Sequence, residues 1–238
     1  MDGTSDASNA PAAAPAVTPA ASGAAPPVVI VLEGLDGVGK STVAALLSSL
    51  LDAVPLRTPP DAMAPFRARF TAGPPDSLQR RIFYEIGNAW AGSEMARALA
   101  SGRHAVCDRY HASTVAYVVG QAPGELPPVG DPAWSWPSEL FAPTHMVLLT
   151  LDEDARLARR AARTSVAETV EEAELRQRAA LGARINEAYR RLGCVEVSAA
   201  GAPADVAAAV LARLGLSGAV VAAVGVGGVA DAHDRPAA

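Results

Sequence analysis

Val28–Leu51 reads VVIVLEGLDGVGKSTVAALLSSLL, and its central octet, Gly34-Leu35-Asp36-Gly37-Val38-Gly39-Lys40-Ser41, fits G-x-x-x-x-G-K-[ST] without a mismatch. Glycines at these places let the chain curl until successive backbone N–H groups face one anion. An apolar strand over Val28–Leu32 enters the loop, and an amphipathic helix carrying Val43, Leu46, Leu47, Leu50 and Leu51 leaves it. The N-terminal dipole of that helix adds positive potential, Lys40 adds a point charge, and the Ser41 hydroxyl suits Mg²⁺. Gly34, Asp36, Gly37, Gly39, Lys40, Ser41 and Thr42 are therefore the expected triphosphate cradle. Lys40 is also the only lysine among 20 Lys and Arg residues. Arginine serves everywhere else, so the compact ammonium is kept for the place where it must fit among phosphate oxygens.

Composition sets the boundaries around this loop. The 238 residues carry a formal net charge of −5, so a general nucleic-acid binder is excluded and no nucleic-acid partner is expected. Residues 1–27 are rich in Ala and Pro and contain neither Lys nor Arg, which reads as a disordered tail rather than a signal or transit peptide. Residues 28–216 are expected to form one domain, and 217–238, rich in Gly, Ala and Val, a flexible tail. No apolar run reaches the ~18 residues of a membrane span, so no membrane partner is expected. The two cysteines, Cys107 and Cys194, sit in or beside apolar runs and read as small core residues in a reducing compartment.

Further strands are expected at Ala53–Leu56, which ends at Arg57, and at His104–Cys107, Thr144–Leu151 and Cys194–Ser198. Helices are expected over Ser77–Ala100, with Leu78, Ile82, Phe83 and Ile86 on one face, from about Ser113, and after the capping box Thr169-x-x-Glu172. That last helix has the stripe Leu181, Ile185, Ala188, Tyr189 and Leu192, and a final helix carries Val206, Val210, Leu211 and Leu214. Thr58–Asp76 and Gln121–Pro137, dense in Pro and Gly, read as loops. Five short strands alternating with helices give an α/β fold, a five-stranded parallel sheet with helices on both faces in three layers. In such a sheet ligands gather beyond the carboxyl ends of the strands, which brings the loop, Arg57, Asp108, Arg109 and the arginines of the 150s around one crevice.

Phosphoryl transfer suits that crevice, because it asks for Mg²⁺, positive charge and alignment rather than a covalent catalyst. Asp108 is placed to orient Mg²⁺ or its waters, and Arg109 to grip phosphate oxygens. Arg156, Arg159, Arg160 and Arg163 crowd into eight residues and form an Arg-rich segment expected to act as a lid, with Arg156 and Arg160 as catalytic candidates. Its alternative reading is a surface basic helix. The four histidines show no metal spacing.

GLDGVGKST followed by CDRYHASTVAY resembles the thymidylate kinase family of P-loop nucleoside monophosphate kinases, over about residues 28–214. The resemblance implies ATP and Mg²⁺, a pyrimidine deoxynucleoside monophosphate as acceptor, and a homodimer. It also implies roles: Asp36 on the acceptor sugar, Phe83 on the base, Arg109 bridging phosphates, and Ser113 and Tyr117 lining the acceptor pocket. Thymidylate kinases usually carry an arginine four residues after the stacking Phe, and here that position is Gly87, followed by Asn88. RRIFYEIGNAW, LPPVGDPAWSWPSELF and EEAELRQRA are similar to the mitochondrial-type UMP/CMP kinase branch, which implies dUMP, dCMP, UMP or CMP. An Asn88 amide offers both donor and acceptor to such an edge. The expected compartment is the cytoplasm, with the mitochondrion as the alternative that this branch raises.

Two other classes compete. A P-loop GTPase needs a second lysine for its guanine-reading N-K-x-D motif, and the chain has none. A nucleotide-binding scaffold without turnover stays open, although Lys40, Ser41, Asp108 and Arg109 are all in place. dTMP stays open as an alternative acceptor.

Overall fold

The chain was described from a computed structural model covering residues 26–74, 77–162 and 179–217. The expected tails, Arg163, and the helix start at Thr169–Glu172 lie outside the described residues. Within them, strands β1 (Val29–Glu33), β2 (Val54–Arg57), β3 (Ala105–Asp108), β4 (His145–Thr150) and β5 (Val195–Ser198) form one sheet in the order β2-β3-β1-β4-β5. Every pairing is parallel, with Leu32 opposite Asp108 on one side of β1 and opposite Val147 on the other. The helices are α1 (Lys40–Leu50), α2 (Ala64–Thr71), α3 (Leu78–Ala100), α4 (His111–Gln121), α5 (Glu153–Ala161), α6 (Ala179–Arg191) and α7 (Pro203–Arg213). Among the described residues no helix is long and apolar enough to cross a membrane.

β1 is the centre of the sheet, which is why it reads as an unbroken apolar run rather than an alternation. Its alternate residues serve two cores. Ile30 and Leu32 join Val43 and Leu47 of α1, Ala116 of α4, Ile185 and Tyr189 of α6, and Val210 of α7. Val29 and Val31 join Ala105, Cys107 and Tyr110 to Ala91, Met95 and Ala98 of α3. Each fully buried aliphatic side chain contributes about 1.5–3 kcal/mol, so the centre of the sheet is the most strongly held part of the chain. Both cysteines are buried thiols, as expected.

Two expectations need correction. Thr58–Asp76 is not all loop: a 3₁₀ turn over Asp61–Met63 leads into α2. Pro65 stands in the first turn of α2, where its missing N–H costs nothing, so the proline that suggests a loop starts a helix. The face assignment of α3 is also reversed. Leu78, Ile82 and Ile86 are exposed, at 57, 43 and 50%, and only Phe83 of the expected stripe is buried. The inward face is built from Phe83, Gly87, Asn88, Ala91, Gly92 and Met95; Gly87 lets the helix lie close to Pro59 and Gly92 close to Tyr110. The other boundaries shift by small amounts, and α4 begins at His111 rather than Ser113.

Candidate functional site

The loop after β1 is shaped by contacts only glycine permits. Gly34 has φ +133°, and a Cβ there would collide with the Leu149 carbonyl of β4. Gly37 has φ +95°, and its Cβ would lie 2.7 Å from Cγ of Arg160. The first intrahelical bond of α1 runs from Val43 N–H to Gly39 C=O at 3.1 Å, so the N–H groups of residues 40–42 have no partner within the helix. Lys40 is buried and donates from Nζ to the Leu35 carbonyl at 2.9 Å, with Asp36 Oδ1 at 3.9 Å. Burial, and then Arg109, push its ammonium down to about 8, against Asp36, Asp108 and Glu33.

At the carboxyl end of β3 the Ser41 hydroxyl donates to Asp108 Oδ2 at 2.5 Å, while Asp108 Oδ1 is buried without a hydrogen-bond partner among the described residues. A hydroxyl and a carboxylate with one unsatisfied oxygen form a hard-oxygen donor set that fits Mg²⁺. No group of three or more His, Cys, Asp or Glu side chains suited to a metal occurs among the described residues. A site of this kind leaves the other ligand positions to phosphate and water.

Arg109 sits one residue further on, with φ +70°, a left-handed conformation uncommon outside glycine. Its Nη2 donates to Asp36 Oδ1 at 2.6 Å, and its Nη1 to Ser113 Oγ at 2.9 Å and to Tyr189 Oη at 3.4 Å. The Tyr117 ring centroid lies 5.7 Å from its Cζ. Burial alone would raise the Asp36 carboxyl, but Arg109 and then Lys40 hold it well below the usual carboxylate range. The guanidinium's Nε–H and second Nη2 hydrogen have no partner among the described residues, so a charged fork is left for an anion.

Glu33, the last residue of β1, is a member the sequence reading missed. It is fully buried, and its Oε1 accepts from the backbone N–H of Tyr110 at 3.0 Å and of Ser113 at 3.3 Å. Its Oε2 accepts from the Ser113 hydroxyl, which also contacts Tyr189 Oη at 2.8 Å. Burial pushes the Glu33 carboxyl up to about 7, against the Ser113 hydroxyl, Arg109, Lys40 and the Tyr110 N–H.

The arginines of α5 are tied to the loop. Arg156 is buried, clasps Glu153 through Nε (2.8 Å) and Nη2 (2.6 Å), and donates from Nη1 to the Asp36 carbonyl at 2.7 Å. Arg159 donates to the Val38 carbonyl at 3.2 Å and to the Gly201 carbonyl at 3.4 Å. Arg160 lies against Gly37, near enough to favour the ionised Asp36. Beside them a cavity of about 280 Å³ is bounded by Val38, Thr42, Arg159, Ala199, Gly201 and Pro203. The loop after β5 was not singled out from the sequence, although it too follows the carboxyl end of a strand.

The remaining candidates come from α3, the start of α4 and the end of β2. Phe83 is buried, stacked on Phe70 of α2 with centroids 5.8 Å apart and meeting Tyr84 edge-on at 5.5 Å. Gly87 faces Pro59, whose Cα would lie 3.2 Å from an added Cβ. Asn88 is buried and donates from Nδ2 to Thr114 Oγ1 at 2.9 Å and to Glu85 Oε2 at 3.2 Å. His111 Nδ1 lies 3.4 Å from the same Glu85 oxygen, with its ring edge-on to Trp136. Arg57 is exposed and pairs with Asp61 at 3.2 Å, so it stands at the rim rather than in the cluster around Arg109.

Comparison with known proteins gives four matches. A sequence profile of the thymidylate kinase family matches residues 32–207. The mitochondrial UMP-CMP kinase 2 of Homo sapiens is 34% identical over 177 residues, 72% of this chain and 39% of that protein. A thymidylate kinase of Cutibacterium acnes is 37% identical over 139 residues, 52% of this chain and 66% of that one. The chain thus spans less than two thirds of the length of either relative. A solved thymidylate kinase of Candida albicans covers 82% of this chain and 93% of its own at a TM-score of 0.61 and 16% identity, a likeness of fold.

Proposed function

The chain belongs to the thymidylate kinase family, and on that premise we propose that it transfers the γ-phosphoryl group of ATP to a pyrimidine nucleoside monophosphate, with dUMP, dCMP, UMP or CMP favoured over dTMP. One observation carries the reading. Arg109 is bonded to Asp36 of the phosphate loop and, among the described residues, keeps N–H groups without a partner, which supports one guanidinium serving both the donor cradle and a second anion.

The donor's phosphates lie over the N–H groups at the start of α1 with Lys40 beside them, and its base enters the cavity beside Arg159 and Gly201. Mg²⁺ fits Ser41 and Asp108, and when bound it neutralises charge on the phosphate oxygens. The acceptor phosphate is already largely dianionic at neutral pH, its second pKa being about 6. No general base is needed for such an acceptor. Arg109 holds that phosphate in line, Tyr117 closes the sugar side, and Arg156 fixes the loop by holding the Asp36 carbonyl. Arg160, with its stem against Gly37, supplies further positive charge.

The preference among bases rests on Gly87. A Cβ at Gly87 would stand 3.2 Å from Pro59 Cα, tight enough to disfavour an arginine there, and we take Asn88, beside Thr114, as the neighbouring group that sets the base side. The exposed α3 stripe supports a homodimer, and the cytoplasm is the expected compartment. The test is direct: purified protein with ATP, Mg²⁺ and CMP or dUMP should form ADP and nucleoside diphosphate in equal amounts. ADP alone would mean hydrolysis, and no ADP with any pyrimidine monophosphate would sink the transferase reading.

A further inference from the structure

The turn that carries Arg109 is bonded to a buried residue of the neighbouring strand, Glu33. Arg109 has a left-handed backbone, and nothing in its own side chain explains why that conformation persists. The helix that follows, α4, begins at His111 with Tyr110 as its cap, and Tyr110 supplies no side-chain hydrogen bond to the first turn. Such a helix start leaves orphan N–H groups that a buried site cannot tolerate. Part of that demand is met from another element, Ser113 N–H being shared with the Tyr110 carbonyl at 3.0 Å. Glu33, at the end of β1, accepts from Tyr110 N–H and Ser113 N–H with one oxygen and from the Ser113 hydroxyl with the other.

We propose that Glu33 is the positioning residue for Arg109, capping α4 from the neighbouring strand and locking the Asp108–Tyr110 turn so that the guanidinium meets Asp36 and the transferring phosphate. The observations interlock. Arg109 N–H is anchored on the Leu32 carbonyl at 2.9 Å, so β1 grips the turn through Leu32 on one side of Arg109 and through Glu33 on the other. Ser113 then passes the constraint to the side chain, since the same hydroxyl bonded to Glu33 accepts from Arg109 Nη1. Tyr189 of α6, buried, closes the ring by contacting both Ser113 and Arg109. The two carboxyl oxygens suit the place chemically, because together they offer acceptors to the Tyr110 and Ser113 N–H groups and to the Ser113 hydroxyl.

The inference rests on the transferase reading, so wild-type turnover is measured first, and its absence would indict that reading rather than this one. Given an active wild type, Glu33→Gln keeps an acceptor for both N–H groups and should retain kcat within about fivefold, while Glu33→Leu removes both acceptors and should lose about 10²-fold, the scale of a misplaced catalytic group. The KM for the acceptor monophosphate should rise together with the loss of kcat in Glu33→Leu and stay within about twofold in Glu33→Gln, because the guanidinium fork offered to that phosphate is the group displaced. The decisive arm is a double-mutant cycle. In an Arg109→Lys background Glu33→Leu should cost no more than about threefold further, since the group it positions is gone. Should Glu33→Leu fail to fold, Ser113→Ala deletes only the side-chain arm; about tenfold loss is expected, again largely absent in the Arg109→Lys background. Wild-type kcat in Glu33→Leu or Ser113→Ala, or a fully additive loss with Arg109→Lys, overturns the proposal.

Discussion

At the scale of single residues, the account turns on Lys40 and the charges around it. Lys40→Ala should lower kcat by about 10²-fold or more, the loss typical of removing a charged transition-state contact, while far-UV and near-UV dichroism stay those of the wild type. Its titration gives a second prediction with a sign. The folded pKa is lowered to about 8 by burial and by Arg109, so the cation needed at the phosphates is lost as pH rises past 8. kcat/KM for ATP, which reports the free enzyme, should therefore fall on the alkaline side with a midpoint near 8, and a flat profile to pH 10 would contradict this. Glu33 predicts the pH dependence of stability. Its folded pKa, about 7, lies above the ordinary 4.5, so the folded state binds a proton that the unfolded state has released. Stability should decline as pH rises from 4.5 to 7, and Glu33→Gln should remove part of that slope in urea titrations at several pH values. The loop residues were legible from the sequence because their spacing is local. Glu33 was not, since a glutamate beside a glycine reads as an exposed strand end until β3 and α4 are laid over it.

Elements were legible where one stretch of sequence carries its own periodicity. β1, the buried strand with its glycine loop, and α7 needed no partner to be recognised. α2 and α3 did. The apolar stripe of α3 faces outward because its small-residue side is the one that fits close against Pro59 and Tyr110, and no helical wheel records which side a neighbour will choose. α5 shows the same limit in its charges. The run of arginines announces a basic segment, but Arg156 is buried and Arg159 spans two carbonyls, so these two serve the loop's shape. Two element-level predictions follow from those contacts. Gly87→Arg should destabilise by on the order of 1–3 kcal/mol through overpacking against Pro59, read as a lower urea midpoint with an unchanged slope. An unchanged midpoint would show that the Pro59 wall yields and that Gly87 does not set the shape of the base site. Arg156→Ala should leave the Asp36 carbonyl and Glu153 unpaired, raising the KM for ATP more than it lowers stability, measured side by side in the same preparation.

For the whole molecule, the topology converts a list of motifs into one site, since β1, β3 and β5 all release their loops at the same edge of the sheet. It also leaves Leu78, Ile82, Ile86 and Trp90, spaced four residues apart, on the outside of α3. A helix face of that kind is what a second copy would cover. Sedimentation should give a dimer that Ile86→Glu converts to a monomer with turnover retained; a monomeric wild type would leave the stripe unexplained. The central claim is the acceptor, since the proposed preference for uracil or cytosine monophosphates over dTMP rests on Gly87, Pro59 and Asn88. The most direct measurement is kcat/KM for dUMP, dCMP, UMP, CMP, dTMP and AMP with saturating ATP and Mg²⁺. The account expects at least one of the first four to exceed dTMP by about tenfold, and AMP to be a poor acceptor. Preference for dTMP by the same margin, or no turnover of any pyrimidine, would contradict it.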